Sequence, residues 1–120
     1  MSSDFQQIDK LIKQFSEVRD WNQFHTPKNL LNALVSEMGE LSEIFLWKTD
    51  GELVKYLHSD EGKQRISEEI ADLAIYLIRL CQKVDLNFLE IVESKMKINE
   101  AKYPVEKSKG NSKKYSEFEK

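Results

Sequence analysis

Apolar residues recur every three or four positions along most of this chain, which is the spacing of one face of an α-helix. The first run shows the pattern clearly, with Phe5, Ile8, Leu11, Ile12 and Phe15 on one stripe. Only four glycines and two prolines interrupt the 120 residues. No stretch of useful length alternates apolar and polar residues as a half-buried strand does. The sequence therefore predicts an all-α fold with a single domain.

Capping residues divide the pattern into four main helices, whose predicted starts are Ser3 or Asp4, Thr26 followed by Pro27, Ser59 or Asp60, and Asp85 or Asn87. The second helix is expected to run to about Trp47, and Pro104 should end the fourth. The connection after the second helix contains Gly51, so we expect a break with at most one helical turn. Residues 1–104 then form the domain, and residues 105–120 form a polar, lysine-rich tail that is mobile unless it docks.

Composition excludes several classes of protein. The formal net charge of -3 does not indicate a nucleic-acid partner. No apolar run approaches the roughly 20 residues of a membrane span, and the N-terminus lacks the apolar core of a signal peptide. Cys81 is the one cysteine, which excludes an intrachain disulfide and fits a reduced cytoplasmic setting.

The second helix carries carboxylates where apolar side chains are expected. At about 100° per residue from Leu30, Glu37 falls at about 340°, inside the apolar stripe. Glu40 falls at about 280°, at the edge of that stripe, and Trp47 at about 260° lies beside it. An inward carboxylate is costly unless it is paired or neutralised.

The third helix repeats this feature with Glu69 and Asp72, and Tyr76 lies on the same side. If the two stripes pack together, Glu37, Glu40, Glu69 and Asp72 converge. Such a cluster requires shifted pKa values, basic partners or a hard divalent cation. Oxygen ligands without histidine favour Mg²⁺ or Mn²⁺, and the missing Glu-x-x-His argues against a di-iron bundle. Solvated surface carboxylates remain the alternative.

The acidic pairs and their flanks resemble a known family. The segments WNQFHTPKNLLNALVSEMGELSEIFLWK, ISEEIADLAIYLIRL and SKMKINEAKYPVEK are similar to the all-α nucleotide pyrophosphohydrolases of the MazG type, in the dCTP pyrophosphatase branch. The resemblance implies a homotetramer built as a dimer of dimers. It also implies Mg²⁺-dependent hydrolysis of a nucleoside triphosphate to the monophosphate and pyrophosphate. The oxygen-only ligand set predicts that Mn²⁺ can substitute for Mg²⁺.

The resemblance also assigns roles to residues. It implies that Glu37, Glu40, Glu69 and Asp72 hold the metal, and in such a site Glu37 or Glu40 would accept a proton from the attacking water. It implies substrate contacts from Trp21, His25, Trp47, Tyr76, Lys95, Asn99 and Tyr103. Two alternatives remain open, namely a pyrophosphatase of broad specificity for NTPs and dNTPs, and a non-catalytic helical oligomerisation module.

Overall fold

The computed structural model of the protein describes residues 3–118, and every regular element within them is helical. The predicted all-α class is therefore confirmed. The elements of this range are α1 Asp4–Val18, α2 Pro27–Phe45, α3 Asp50–His58, α4 Asp60–Lys83, α5 Phe88–Lys102, α6 Val105–Ser108 and a 3₁₀ turn at Tyr115–Glu117. The four main helices predicted from the sequence correspond to α1, α2, α4 and α5.

Side-chain caps set the starts of the main helices. The Ser3 hydroxyl accepts a hydrogen bond from the Gln6 backbone N–H, and the Gln6 side chain accepts one from the Ser3 backbone N–H, which completes a capping box. Thr26, Ser59 and Asn87 each accept from a backbone N–H three residues further on. The cap predicted at Thr26 is confirmed, and Ser3, Ser59 and Asn87 are the caps among the alternatives left open at the other starts.

The connection between α2 and α4 is more ordered than the sequence suggested. It carries the nine-residue helix α3, which Thr49 caps by accepting from the Glu52 backbone N–H. Helix α2 ends at Phe45, and Trp47 beyond it has a φ of 67°. Trp47 therefore lies outside the helix, and its angular position beside Glu40, which assumed a continuous helix, is wrong.

The chain divides into two compact units, the first ending at Leu86 and the second beginning at Asn87. In the first unit α4 is the central helix, since α1, α2 and α3 all pack against it. The buried apolar side chains of this unit come from α1, α2 and α4: Ile12, Leu30, Ile44, Ile78 and Cys81. Among residues 3–118, no helix has both the length and the apolar character that a membrane span requires.

In the second unit, aromatic residues of the predicted tail fold onto the end of α5. The Tyr103 ring meets the rings of Tyr115 and Phe118 edge to face, with centroid distances of 6.1 and 5.7 Å. The Lys102 ammonium nitrogen lies 4.6 Å from the centroid of the Tyr115 ring. The tail is thus docked by its own aromatic residues as far as Phe118. The domain boundary at residue 104 stays a prediction.

Candidate metal centre and adjoining cavity

Three glutamates converge where α2 packs against α4. Glu37 and Glu40 from α2 and Glu69 from α4 each offer a carboxylate oxygen, and these oxygens lie within 4.8 Å of one another. The Oε2 atoms of Glu37 and Glu69 are buried and have no hydrogen-bond partner. Buried oxygens without a donor destabilise the fold unless a proton or a cation satisfies them. The convergence predicted from the helical stripes is present for these three residues.

The crowding changes the acidity of Glu37. Its pKa is raised to about 7, chiefly because burial penalises the charged form. The pKa is raised further because a protonated Glu37 could donate to the carboxylates of Glu69 and Glu40, and because the charges of Glu40 and Asp72 repel an ionised Glu37. The protein's own groups thus stabilise the ionised cluster poorly. An all-oxygen donor set of this kind fits a hard divalent cation such as Mg²⁺ or Mn²⁺.

Asp72, the fourth predicted ligand, is exposed and lies outside this group of three. Asp72 nevertheless lies close enough for its charge to raise the pKa values of both Glu37 and Tyr76. It also lines the same cavity as Glu37. Asp72 is therefore near the cluster, and its role as a metal ligand stays a prediction.

A cavity of about 350 Å³ adjoins the cluster within the first unit. Glu37 and Asp72 form part of its wall, together with Trp21, His25 and Tyr76. Three of the side chains predicted to hold a base or sugar therefore share one cavity with two of the acids. Such an arrangement can hold a ligand that has both a flat apolar part and an anionic part, provided that a cation offsets the carboxylates.

The aromatic wall of the cavity is built by local contacts. The Trp21 ring meets Phe15 and His25 edge to face, with centroid distances of 5.6 and 6.0 Å. Burial and the neighbouring carboxylates of Glu37, Asp72 and Glu40 raise the pKa of the Tyr76 phenol above its ordinary value. Trp47, by contrast, is 91% exposed and does not line the cavity. Its predicted contact with substrate stays a prediction.

Arg79 on α4 was not predicted from the sequence as a residue of the site. It nevertheless lines the cavity and is only 4% exposed. Its Nε donates to His25 Nδ1 at 3.1 Å, and its two terminal nitrogens donate to Gln82 and Asn22. Counted from Ile66, Arg79 falls at about 220° on the helix, far from the predicted stripe. Helix α1 also packs against α4, which the single stripe did not anticipate. The available signal was a lone charge inside the apolar run IYLIRLC.

The remaining predicted substrate residues lie in the second unit. Lys95 is exposed on α5, and Asn99 is half-buried one turn further along the same helix. Tyr103 caps the C-terminus of α5 by donating its backbone N–H to the Asn99 carbonyl at 2.8 Å. The predicted roles of these three residues in substrate binding stay predictions.

Sequence comparison identifies the class to which this fold and acidic cluster belong. Residues 33–118, which include both acidic pairs, match the MazG-like family. The chain is therefore a member of the MazG-like family, and the resemblance noted from the sequence is confirmed.

The chain is also similar to individual proteins within and beyond the matched region. The chain is 43% identical over 111 residues to dCTP pyrophosphatase 1 from Homo sapiens and 40% identical to its counterpart from Rattus norvegicus. The alignments include 92% of this chain, which spans about 65% of the length of each of these relatives. The crystal structure of a pyrophosphatase from Archaeoglobus fulgidus DSM 4304 superposes with a TM-score of 0.79 at 37% identity, over 87% of this chain and 95% of that one.

Proposed function

We propose that this chain is a magnesium-dependent nucleoside triphosphate pyrophosphohydrolase that converts a dNTP to the dNMP and pyrophosphate, favours dCTP or a modified dCTP, and serves to cleanse the nucleotide pool. The observation that carries the proposal is the cluster of Glu37, Glu40 and Glu69, with its unsatisfied buried oxygens beside an aromatic-walled cavity. The identity of the substrate is inferred from the relatives, which are a dCTP pyrophosphatase and a pyrophosphatase.

The acidic cluster fits the metal that this reaction requires. Glu37, Glu40 and Glu69 would hold the ion, with Asp72 as the proposed fourth ligand, and Mn²⁺ can substitute for Mg²⁺. When bound, the ion offsets the charge of the triphosphate and polarises its phosphorus–oxygen bonds. Without a cation these carboxylates would repel a polyanionic substrate.

The reaction itself needs little covalent chemistry from the chain. The oxygen of a water molecule forms a bond to the α-phosphorus, and the bond from that phosphorus to the bridging oxygen breaks, so that pyrophosphate leaves. Glu37 or Glu40 accepts the proton that the water loses. Trp21, His25 and Tyr76 hold the base and sugar in the cavity.

Substrate contacts are also proposed for predicted residues that do not line this cavity. Lys95 and Asn99 would contact the phosphates, as a lysine ammonium suits a phosphate oxygen. Trp47 and Tyr103 are proposed to contact the substrate as well. The cytoplasmic location and the absence of a nucleic-acid partner remain predictions from the sequence.

Self-association into a homotetramer, as a dimer of dimers, is part of the proposal. Helix α2 supports it with a second apolar stripe formed by Leu31, Val35 and Met38, which are 55%, 65% and 55% exposed in the single chain. Their spacing places them on one face of α2. Contiguous exposed apolar surface of this kind is typical of an interface between protein chains.

Two other functions can be separated from this one. Aromatic stacking tolerates any base, so a pyrophosphatase of broad specificity would use the same site. A non-catalytic helical module would need only solvated carboxylates, and the buried unpartnered oxygens of Glu37 and Glu69 argue against it.

A substrate panel tests the proposal against both. The purified protein is incubated with Mg²⁺ and each common dNTP and NTP, and the products are separated by ion exchange. The proposal expects monophosphate and pyrophosphate, with dCTP fastest. Equal rates with all bases would favour the broad pyrophosphatase, and no turnover by the folded protein with Mg²⁺ or Mn²⁺ would favour the module.

A further inference from the structure

We propose that Arg79 is a positioning residue that holds His25 as the neutral Nε2–H tautomer, so that the imidazole offers one hydrogen-bond donor to an acceptor atom of the nucleobase in the cavity. The acceptor would be an unprotonated ring nitrogen or a carbonyl oxygen of the base. The identity of the ligand rests on the proposed function. The tautomer and its cause rest on the contacts of this chain alone.

The tautomer follows from the contact between the two side chains. A guanidinium has only donors, so the 3.1 Å contact from Arg79 Nε requires an unprotonated Nδ1 on His25. The proton of the neutral imidazole must then reside on Nε2. An imidazolium would carry a proton on both nitrogens and would set a donor against the Arg79 donor. Consistent with this, burial first and then the charges of Arg79 and Lys83 lower the pKa of His25.

The position of the guanidinium is itself fixed by neighbouring segments. Its Nη1 donates to Gln82 Oε1 at 2.8 Å, and its Nη2 donates to Asn22 Oδ1. Gln82 in turn donates from Nε2 to the backbone oxygen and to a carboxylate oxygen of Asp9 on α1, each at 2.8 Å. Arg79 is thus held between α1, the segment before α2 and its own helix, and it can hold the His25 ring in one orientation.

The cavity gives this donor a use. His25 lines it beside Trp21 and Tyr76, and half of the other lining side chains are apolar. A stacked base gains stability from any aromatic wall, whereas a donor fixed in place favours only bases that present an acceptor to it. A protein donor left without an acceptor in such a cavity is penalised. His25 therefore contributes to the choice of base, and Arg79 acts through it.

The second histidine of the chain provides an internal control. His58 Nδ1 lies 2.7 Å from the backbone oxygen of Val54, and a carbonyl oxygen can only accept. The proton of a neutral His58 must therefore reside on Nδ1. The chain has two histidines, and the structure assigns them opposite tautomers.

Long-range ¹H–¹⁵N correlation spectra of the ¹⁵N-histidine-labelled protein test the assignment at mildly alkaline pH. His25→Gln and His58→Gln variants identify the two spin systems. The expected result is a protonated Nε2 for His25 and a protonated Nδ1 for His58. A protonated Nδ1 on His25 in the unsubstituted protein would overturn the proposal, and this measurement does not depend on catalysis.

A matched pair of variants tests the cause. Arg79→Met removes the donor to the ring, so His25 should become a mixture of tautomers. Lys83→Met is the control, because the charge of Lys83 also lowers the pKa of His25. The Lys83 ammonium donates to the Asn22 carbonyl and not to the His25 ring, so the His25 tautomer should persist in this variant. An unchanged tautomer in folded Arg79→Met would show that Arg79 does not position the ring.

Titration with dCMP in the presence of Mg²⁺ tests base recognition without hydrolysis. The His25 Nε2–H resonance should shift on binding, and the His58 Nδ1–H resonance should not. Among triphosphates, Arg79→Met should lower the ratio of kcat/KM for the best base over the worst about tenfold, mainly through KM and with an unchanged Mg²⁺ dependence. Lys83→Met should retain that ratio.

The failure of this inference differs from failure of the proposed function. The protein could hydrolyse no triphosphate and still show the Nε2–H tautomer and a His25 response to dCMP. That result would disprove the proposed enzymatic function and leave the inference about Arg79 and His25 intact. An active enzyme whose His25 resonances do not respond to dCMP, and whose base preference survives Arg79→Met, would overturn the inference and leave the enzyme.

Discussion

Two polar clusters of the first unit each include a residue of α4, and their buried polar atoms are satisfied in opposite ways. Around Glu69, carboxylates from α2 and α4 meet, and buried oxygens of Glu37 and Glu69 have no donor. Around Arg79, a guanidinium that is only 4% exposed donates to three separate side chains. A buried charge with its own protein partners can support the fold, whereas a buried charge without them requires a ligand.

The largest predicted effect comes from the unsatisfied cluster. Glu69→Gln keeps the shape of the side chain but removes a charged oxygen ligand, so Mg²⁺-dependent turnover should fall about a thousandfold or more while the fold persists. Steady-state kinetics and circular dichroism measure the two outcomes. Glu68→Gln, at the exposed neighbouring position, is the matched control and should retain turnover. A fully active Glu69→Gln enzyme would remove Glu69 from the metal centre.

A change outside both clusters tests the helix that carries them. A Cβ at Gly62 would lie 1.8 Å from the Tyr56 backbone oxygen, so Gly62→Ala should displace the start of α4 and lower the free energy of unfolding by about 3 kcal/mol. Gly51→Ala is the control, because a Cβ there meets nothing within 4 Å and should stabilise α3 slightly. Urea unfolding compares them. Equal stabilities of the two variants would contradict the packing of α3 against α4.

The acidic cluster should also make the stability of the fold depend on pH. In the metal-free protein the pKa of folded Glu37 is about 7, above the ordinary 4.5, so between these values the folded state holds a proton that the unfolded chain has lost. Stability from this group should therefore fall as pH rises through that window, by about 1–2 kcal/mol once solvent screening is included.

Thermal unfolding at a series of pH values, with a chelator or with Mg²⁺, measures this slope. Glu37→Gln should flatten it, and Mg²⁺ should reduce it, because the ion favours the charged carboxylates. A slope that persists in Glu37→Gln would assign it to another group.

The smallest predicted effect belongs to the satisfied cluster. Gln82→Ala removes the link between Arg79 and Asp9 and should lower the free energy of unfolding by about 1 kcal/mol. The Mg²⁺ dependence of turnover should not change, because Gln82 is not part of the cluster of Glu37, Glu40 and Glu69. Urea unfolding and a Mg²⁺ titration of the initial rate measure these outcomes. A loss of turnover as large as that of Glu69→Gln would erase the distinction between the two clusters.

The sequence predicted the acidic cluster better than the basic one, and the packing explains why. Glu37 and Glu69 lie on stripes that face one partner helix each, so a single angular count placed them correctly. Arg79 lies on a different side of α4, and only the three-dimensional structure shows which groups bury it there. A helical wheel has no information about a second neighbour.

Local context limited the prediction at the end of α2. The wheel treated Trp47 as helical, but the backbone leaves the helix at Phe45 and turns to a positive φ at Trp47. The short helix α3 was underestimated because Gly51 suggested a break, while the cap from Thr49 and the packing against α4 compensate for that glycine. Tertiary contacts thus outweighed local propensity in this connection.

The central claim is that the unsatisfied glutamates form the metal centre, and anomalous scattering tests it most directly. Crystals grown with Mn²⁺ and dCMP would locate the ion without reference to activity. The account predicts an anomalous peak within coordination distance of Glu37, Glu40 and Glu69. An ordered nucleotide in the cavity with the Mn²⁺ peak elsewhere, or with no peak beside these carboxylates, would contradict it.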